Sequence, residues 1–209
     1  MKETIIFREY ERSDYQALSE IIEETWTYDK LCSKKTARKM SNAFLDHCLT
    51  NQTYTQVALV DGVPAGVIMG KNQQSHKCPL KFKLGFLQSV FSLFCSKEGR
   101  RLANIFSCFD DINAQLLKKS PIKYQGEISF FAINSKYRGR GLGKELFQIM
   151  AEYMKEENVR NFFLFTDTTC NYHFYERQGM TRRGEKKHFF EVEGPFAEQT
   201  LFIYDYQLQ

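Results

Sequence analysis

Much of what would place this chain quickly in a functional class is missing from it. It contains no run of about 18 uninterrupted apolar residues, the length a helix needs to cross a bilayer. Its opening segment, MKETIIFREY, holds no apolar h-region of the secretory kind. Cys32, Cys48, Cys78, Cys95, Cys108 and Cys170 form no C-x-x-C pair, and no histidine stands beside them at zinc-finger spacing. His47, His76, His173 and His188 make no metal-binding spacing either. These absences argue against a membrane span, secretion, a disulfide framework and a resident metal. The expected setting is the cytoplasm, with six reduced thiols. Internal repeats, low-complexity tracts and long linkers are absent too. The charge excess is small, +4 with a pI near 8.6. That balance favours an anionic ligand and is too weak to indicate nucleic-acid binding by itself.

What is present is enough for a packed core. The 209 residues are 43% apolar and 15% aromatic, with 19 phenylalanines, a composition that excludes disorder. ETIIFREY (3–10) reads as a strand. Ser13 is placed to cap a helix over 14–26 that puts Leu18, Ile21, Ile22 and Trp26 on one face. Residues 34–49 form a second helical pattern, and 54–70 a hairpin turning at Asp61-Gly62. Residues 71–123 break the rhythm with two apolar helical segments. They read as a helical hairpin on the core, or as a lid, a pocket wall or a dimer surface. GEISFFAI (126–133), a helix over 141–158 and NFFLFTD (161–167) then make a strand–helix–strand unit, so the two strands should be parallel with a right-handed crossover. A short helix ending at Gly179 follows, and KKHFFEVEG and TLFIYDYQL supply two closing strands.

The segment SKYRGRGLGKEL (135–146) sits between a strand and a helix. Bare amides at a helix N-terminus attract phosphate, glycine lets a backbone come close, and Arg138, Arg140 and Lys144 add positive charge. An arginine-glycine surface segment for nucleic acid and a plain surface turn are the competing readings. A Walker loop is excluded because Lys144 is followed by Glu145, and the dinucleotide fingerprint fails on its glycine spacing. The pattern that fits is [Q/R]-x-x-G-x-[G/A], at Arg138, Gly141 and Gly143.

With that loop, GEISFFAINSKYRGRGLGKELF, FFLFTD and FYERQGM resemble successive segments of the GNAT superfamily of acetyl-CoA-dependent N-acetyltransferases. The first 70 residues also follow that family's strand–helix–helix–hairpin order. The resemblance covers the chain outside residues 71–123, which look like a helical insertion within one N-acetyltransferase domain spanning 1–209. It implies a mixed α/β (α+β) fold: a central, mostly antiparallel sheet with one parallel, splayed strand pair and helices on both faces. The implied reaction moves an acetyl group from acetyl-CoA directly to a primary amine, with a small molecule as the first expectation for the acceptor. A protein or peptide amine and a catalytically silent acyl-CoA sensor are the alternatives.

By the same resemblance, Arg138, Gly139, Arg140, Gly141, Gly143 and Lys144 hold the cofactor pyrophosphate, and backbone amides near Ala132 and Ile133 polarise the thioester carbonyl. Glu127 is the candidate base, because an alkylammonium with pKa ~10 must lose a proton before it attacks. A carboxylate paired with a Lys or Arg, or a water-relayed proton path, are the other readings of that position. Strict alternation would put Ser129 and Phe131 on the face of Glu127. Tyr175 matches the tyrosine that donates a proton to the leaving thiolate, against a plain packing role. The family's pantetheine-contacting Asn is here Thr168, which leaves Asn171, with Cys170, to cover that contact. Cys170 itself reads as a buried thiol, since direct transfer needs no acyl-enzyme. Trp26, Tyr28 and Asp29 are candidates to meet a cationic amine.

Overall fold

The computed structural model describes residues 3–190 and 198–208, apart from the side chain of Phe106. Among these residues are seven strands and six α-helices, in the order β1 (Ile5–Glu9), α1 (Tyr15–Thr25), α2 (Lys34–Thr50), β2 (Tyr54–Val60), β3 (Val63–Asn72), α3 (Leu80–Phe94), α4 (Lys97–Lys119), β4 (Gly126–Ile133), α5 (Leu142–Glu156), β5 (Asn161–Asp167), α6 (His173–Arg177), β6 (Thr181–Phe189) and β7 (Glu198–Gln207). The strands form one sheet in the order β1-β2-β3-β4-β5-β7-β6. Every pairing is antiparallel except β4–β5, whose parallel register consists of Gly126↔Phe162 and Glu127↔Phe163. Beyond those two pairs the strands diverge and a gap opens in the middle of the sheet.

The hairpin forms as its turn residues require: Asp61 (φ 50°) and Gly62 (φ 80°) both adopt left-handed backbone, as a two-residue turn between twisted strands demands. Two expectations change in detail. Ser13 does not cap α1. It lies in a short 3-10 turn over Arg12–Asp14, and the Asp14 carboxylate accepts the Glu11 amide (2.8 Å) while Arg8 pairs with the same carboxylate (2.7 Å). Asp14 stands at the N-cap of α1, but its side chain makes no capping bond to that helix, being held instead by Arg8 and the Glu11 amide. The first closing strand begins earlier than KKHFFEVEG, at Thr181, and residues 191–194 of that segment lie outside the described residues.

Each face of the sheet has its own core. On one face α5 buries Leu142, Leu146, Met150 and Met154 against Ile68, Ile128, Phe162 and Leu164. On the other, α1 and α2 bury Leu18, Ile22, Leu45 and Leu49 against Val57, Val67 and Phe130, while α4 sets Ile112 and Leu116 on Phe163, Leu201 and Ile203. The helices of 71–123 are tied to α2 by polar contacts as well. Glu98 in the first turn of α4 accepts the Thr36 hydroxyl and, at the N-cap of α2, the Ser33 hydroxyl (2.7 Å) and amide (2.8 Å), bonds that hold its carboxyl below the usual range. Lys39 Nζ reaches the Ser92 carbonyl (2.7 Å), and Ser89 bonds Asp46.

Candidate active site

The gap between β4 and β5 follows from the local register. Antiparallel pairing of β3 with β4 matches Met69 with Phe130 but Gly70 with Ile128, leaving Ser129 as an extra, bulged residue. A bulge bends its strand, raises local twist and reverses the in–out parity beyond it. Phe130 and Ala132 therefore join the α1/α2 core, and Ile128, Phe131 and Ile133 pack toward α5. This corrects the simple alternation. Glu127 does not share its face with Phe131: it reaches Asn51 and the Lys71 side chain, on the side of α2. The bulge sits two residues past the last β4–β5 pair, so bending and loss of pairing coincide.

Past the bulge, β4 remains bonded to β3 alone. Asn134 donates its amide to the Ala65 carbonyl (2.9 Å), and antiparallel parity then directs the Ala132 amide to β3 as well. The amides of Phe131 and Ile133 turn the other way, toward the gap.

At the end of β4 the chain turns through Ser135–Tyr137 into the glycine loop. Arg138 folds back to donate from Nε to the Ile133 carbonyl (3.2 Å). Arg140 stacks over Tyr137 (5.2 Å) and pairs with Glu3. Gly139 (φ 79°) and Gly141 (φ 84°) take left-handed backbone, and a Cβ on either would meet nothing within 4 Å. Gly143 serves differently: a Cβ there would lie 3.5 Å from Phe174, so it lets the first turn of α5 rest on that ring. Among the described residues no backbone or side-chain acceptor serves the amides of residues 139–144, and the first α5 amide bond runs from Glu145 to the Gly141 carbonyl (3.2 Å). Six bare amides converge at the positive end of the helix dipole, with open space above the two left-handed glycines.

The same gap opens on the α2 side into a cavity of about 640 Å³. Its walls come from α2, α3, α4, β4, β5, α6 and β7, and most of its lining is aromatic or aliphatic. Trp26 sits in the wall against Phe44 (4.9 Å) and Phe130 (5.8 Å). Glu127 and Tyr175, far apart in sequence, both line it. Glu127 bonds Lys71 Nζ at 2.8 Å, and Lys71 also donates to Asn51 (2.7 Å). This is the paired carboxylate that the sequence left open, and it lies at the cavity wall. Tyr175 is half-buried between Phe131 (6.3 Å) and Tyr204 (6.2 Å), and its hydroxyl has no hydrogen-bond partner among the described residues. Burial pushes its phenol far above the ordinary range, with Cys170 and Asp167 adding to the rise. Burial raises the Cys170 thiol to about 11, so it stays protonated near neutrality.

Not every candidate residue reaches this cavity. Tyr28 lines it but is 2% exposed and belongs to the core. Asp29 points to solvent, and Asn171 is exposed; neither lines the cavity. Thr27 takes left-handed backbone (φ 46°) between Trp26 and Tyr28, an uncommon state for a β-branched residue. Several lining groups escaped sequence reading: His47, Asn51, Asp110, Asn113, Asp167 and Gln199. Burial raises the Asp110 carboxyl, which faces His47. Gln199 had left a trace, standing in phase with inward-facing Leu201 and Ile203 at a position where an apolar residue belongs.

The outer face of α3 contrasts with the lining. Leu80, Leu84, Leu87 and Phe91 form an exposed apolar stripe, while Phe86, Val90, Leu93 and the partly exposed Phe94 line the cavity. No helix of the described chain is long and apolar enough to cross a membrane, and no group of three potential metal ligands occurs among the described residues.

Residues 109–180 match the Acetyltransferase (GNAT) family. No curated protein sequence matches the chain. Solved structures do, across nearly the full length. An acetyltransferase of the GNAT family from Streptococcus pneumoniae superposes with a TM-score of 0.54 at 15% identity, covering 99% of this chain and 100% of that one. Ribosomal-protein-alanine N-acetyltransferase from Brucella melitensis gives 0.56 at 13%, covering 97% and 99%. A structure assigned as a phosphinothricin N-acetyltransferase gives 0.57 at 13%, covering 99% of each. The chain has the fold of the GNAT acetyltransferases, and its segment 109–180, from α4 through the glycine loop to α6, carries that family's sequence pattern.

Proposed function

We propose that this protein transfers the acetyl group of acetyl-CoA directly to the primary amine of a small molecule, in the cytoplasm. The observation that carries the reading is continuity. Six unpaired amides at the N-terminus of α5 border a gap between β4 and β5, and that gap opens into a cavity lined by both Glu127 and Tyr175.

The loop fits a pyrophosphate. It offers convergent N–H donors, room above Gly139 and Gly141, and the cationic side chains of Arg138, Arg140 and Lys144. Bound acetyl-CoA supplies an acyl thioester, activated toward attack by an amine. The Ile133 amide, with that of Phe131, supplies a hydrogen bond to charge developing on the acyl oxygen. Tyr175 supplies a proton or a hydrogen bond to the departing sulfur. Its raised pKa keeps the phenol protonated at working pH, so it acts as donor only. Glu127 draws the ammonium form to the wall and takes up its proton, directly or through water. Because Lys71 already holds one of its oxygens, proton uptake must loosen that pair.

The small-molecule acceptor rests on enclosure. Residues 71–123, read as an insertion, place α3 and α4 across the acceptor side. A peptide terminus, the kind of acceptor named for the Brucella relative, would have to pass beneath them.

The test is thermal unfolding with and without acetyl-CoA, followed by free-CoA release over an amine panel. A ligand at about 100 times its dissociation constant adds roughly 2.7 kcal/mol, a rise of about 5–10 °C for a chain of this size. Stabilisation with turnover supports the enzyme. Stabilisation without turnover on any amine means a silent acyl-CoA sensor. No rise at millimolar acetyl-CoA removes the loop assignment.

A further inference from the structure

The polar groups of the cavity are not all paired. Gln199 is 1% exposed, yet neither its Oε1 nor its Nε2 has a hydrogen-bond partner among the described residues. It is on β7, in phase with Leu201 and Ile203, whose side chains pack on Ile112 and Leu116 of α4. On α4, next to Ile112, the buried Oδ1 of Asn113 is also without a partner among the described residues. Both residues line the cavity, and Phe109 and Phe190, stacked at 4.2 Å, line the same end. A buried amide with nothing to bond is costly, and most buried polar groups avoid it. The shortfall does not depend on which way round the Gln199 amide is placed, because both of its ends are unpaired.

We infer that Gln199, with Asn113, forms a specificity subsite for a neutral group on the acceptor that both donates and accepts hydrogen bonds, such as a carboxamide, carried on an aromatic body. The identification of the ligand as an amine rests on the acyl-transfer reading above; the amide-recognising subsite stands on the cavity alone. The aromatic lining takes up the body of the acceptor. The primary amide of Gln199 offers one acceptor and two donors side by side, so a carboxamide meets it with two parallel bonds. An acceptor without such a group leaves the Gln199 amide unpaired in the complex. That is how a polar site rejects an analogue far more strongly than an apolar pocket does.

The test compares 4-(2-aminoethyl)benzamide with phenethylamine, identical but for the carboxamide. Their binding to the full chain is measured by calorimetry with CoA present, and their kcat/KM by CoA release. The carboxamide amine should be preferred at least tenfold in both. Gln199→Leu should bring the ratio near one while leaving the acetyl-CoA thermal shift unchanged. Without ligand this variant should unfold at or above the wild-type temperature, because an apolar side chain of similar size replaces an unpaired amide. Equal affinity of the wild type for the two amines, binding of neither, or a preference that survives Gln199→Leu overturns the subsite. So does a clear fall in unfolding temperature, which would mean that Gln199 is bonded within the fold. The wild-type comparison decides the matter even if the variant does not fold. If no amine is acetylated and acetyl-CoA does not stabilise the protein, the acyl-transfer reading fails separately, and the calorimetric preference still decides the subsite.

Discussion

The two ends of the gap between β4 and β5 are built from different material. The loop end is backbone: six amides, two left-handed glycines with open space above them, and cationic side chains at the rim. The cavity end is side chains, drawn from α2, α3, α4, β4, β5, α6 and β7. A backbone site has one chemical character and suits a ligand part that never varies. A side-chain site takes its character from many independent residues and suits a part that differs from one substrate to another. The contrast explains how one fold can keep a co-substrate while its acceptor changes.

That contrast can be broken one end at a time. The largest effect should come from Gly141→Asp. It forces a β-carbon onto a left-handed backbone (φ 84°) and sets a negative charge among the bare amides. The acetyl-CoA thermal shift should vanish, whereas Gly141→Ala, which carries only a backbone cost of about 1 kcal/mol, should keep most of it. Tyr175→Phe should lower kcat about 10- to 100-fold with acetyl-CoA affinity nearly intact; full activity would remove Tyr175 from the mechanism. Glu127→Gln should cost about tenfold in kcat at neutral pH, with the deficit narrowing as pH approaches the acceptor's own pKa. A deficit independent of pH would leave Glu127 as a structural partner of Lys71.

Smaller effects should come from residues that support the cavity or merely line it. Glu176, next to Tyr175, accepts from Tyr204 (2.7 Å) and Arg182 (2.9 Å), and these bonds with His173 lower its carboxyl to about 2. A depressed carboxyl stabilises the fold above its unfolded value, about 4.3, and the contribution is lost as pH falls toward 2. Glu176→Gln should therefore lower the unfolding temperature at pH 7, by an amount that shrinks between about pH 4.5 and pH 2. Cys170→Ser should change kcat least of all, and a thiol held near 11 should resist alkylation at pH 7. Loss of turnover in that variant would bring a cysteine nucleophile back into consideration.

The sequence was most legible where a local rule governs. Asp61-Gly62 specified its turn, the apolar rhythm of 126–133 and 161–167 specified two strands, and the glycines of 139–143 marked the loop. Each of those signals concerns conformations that a few adjacent residues can or cannot adopt. The in–out parity of β4 was not legible, because the bulge at Ser129 arises from pairing with β3, more than fifty residues earlier. The two faces of α3, one lining the cavity and one exposed, were indistinguishable in a segment that is apolar all round.

What the sequence determined by itself was therefore the order of its elements and a loop suited to phosphate, since backbone sterics and periodicity act within a few residues; the roles given to Glu127 and Tyr175 rest on the family resemblance and not on a local rule. What only the tertiary structure decided was the company the cavity residues keep: Glu127 beside Lys71, and Tyr175 and the buried Gln199 without a side-chain hydrogen bond among the described residues. Burial and pairing are properties of segments brought together from far along the chain, and no local rule contains them.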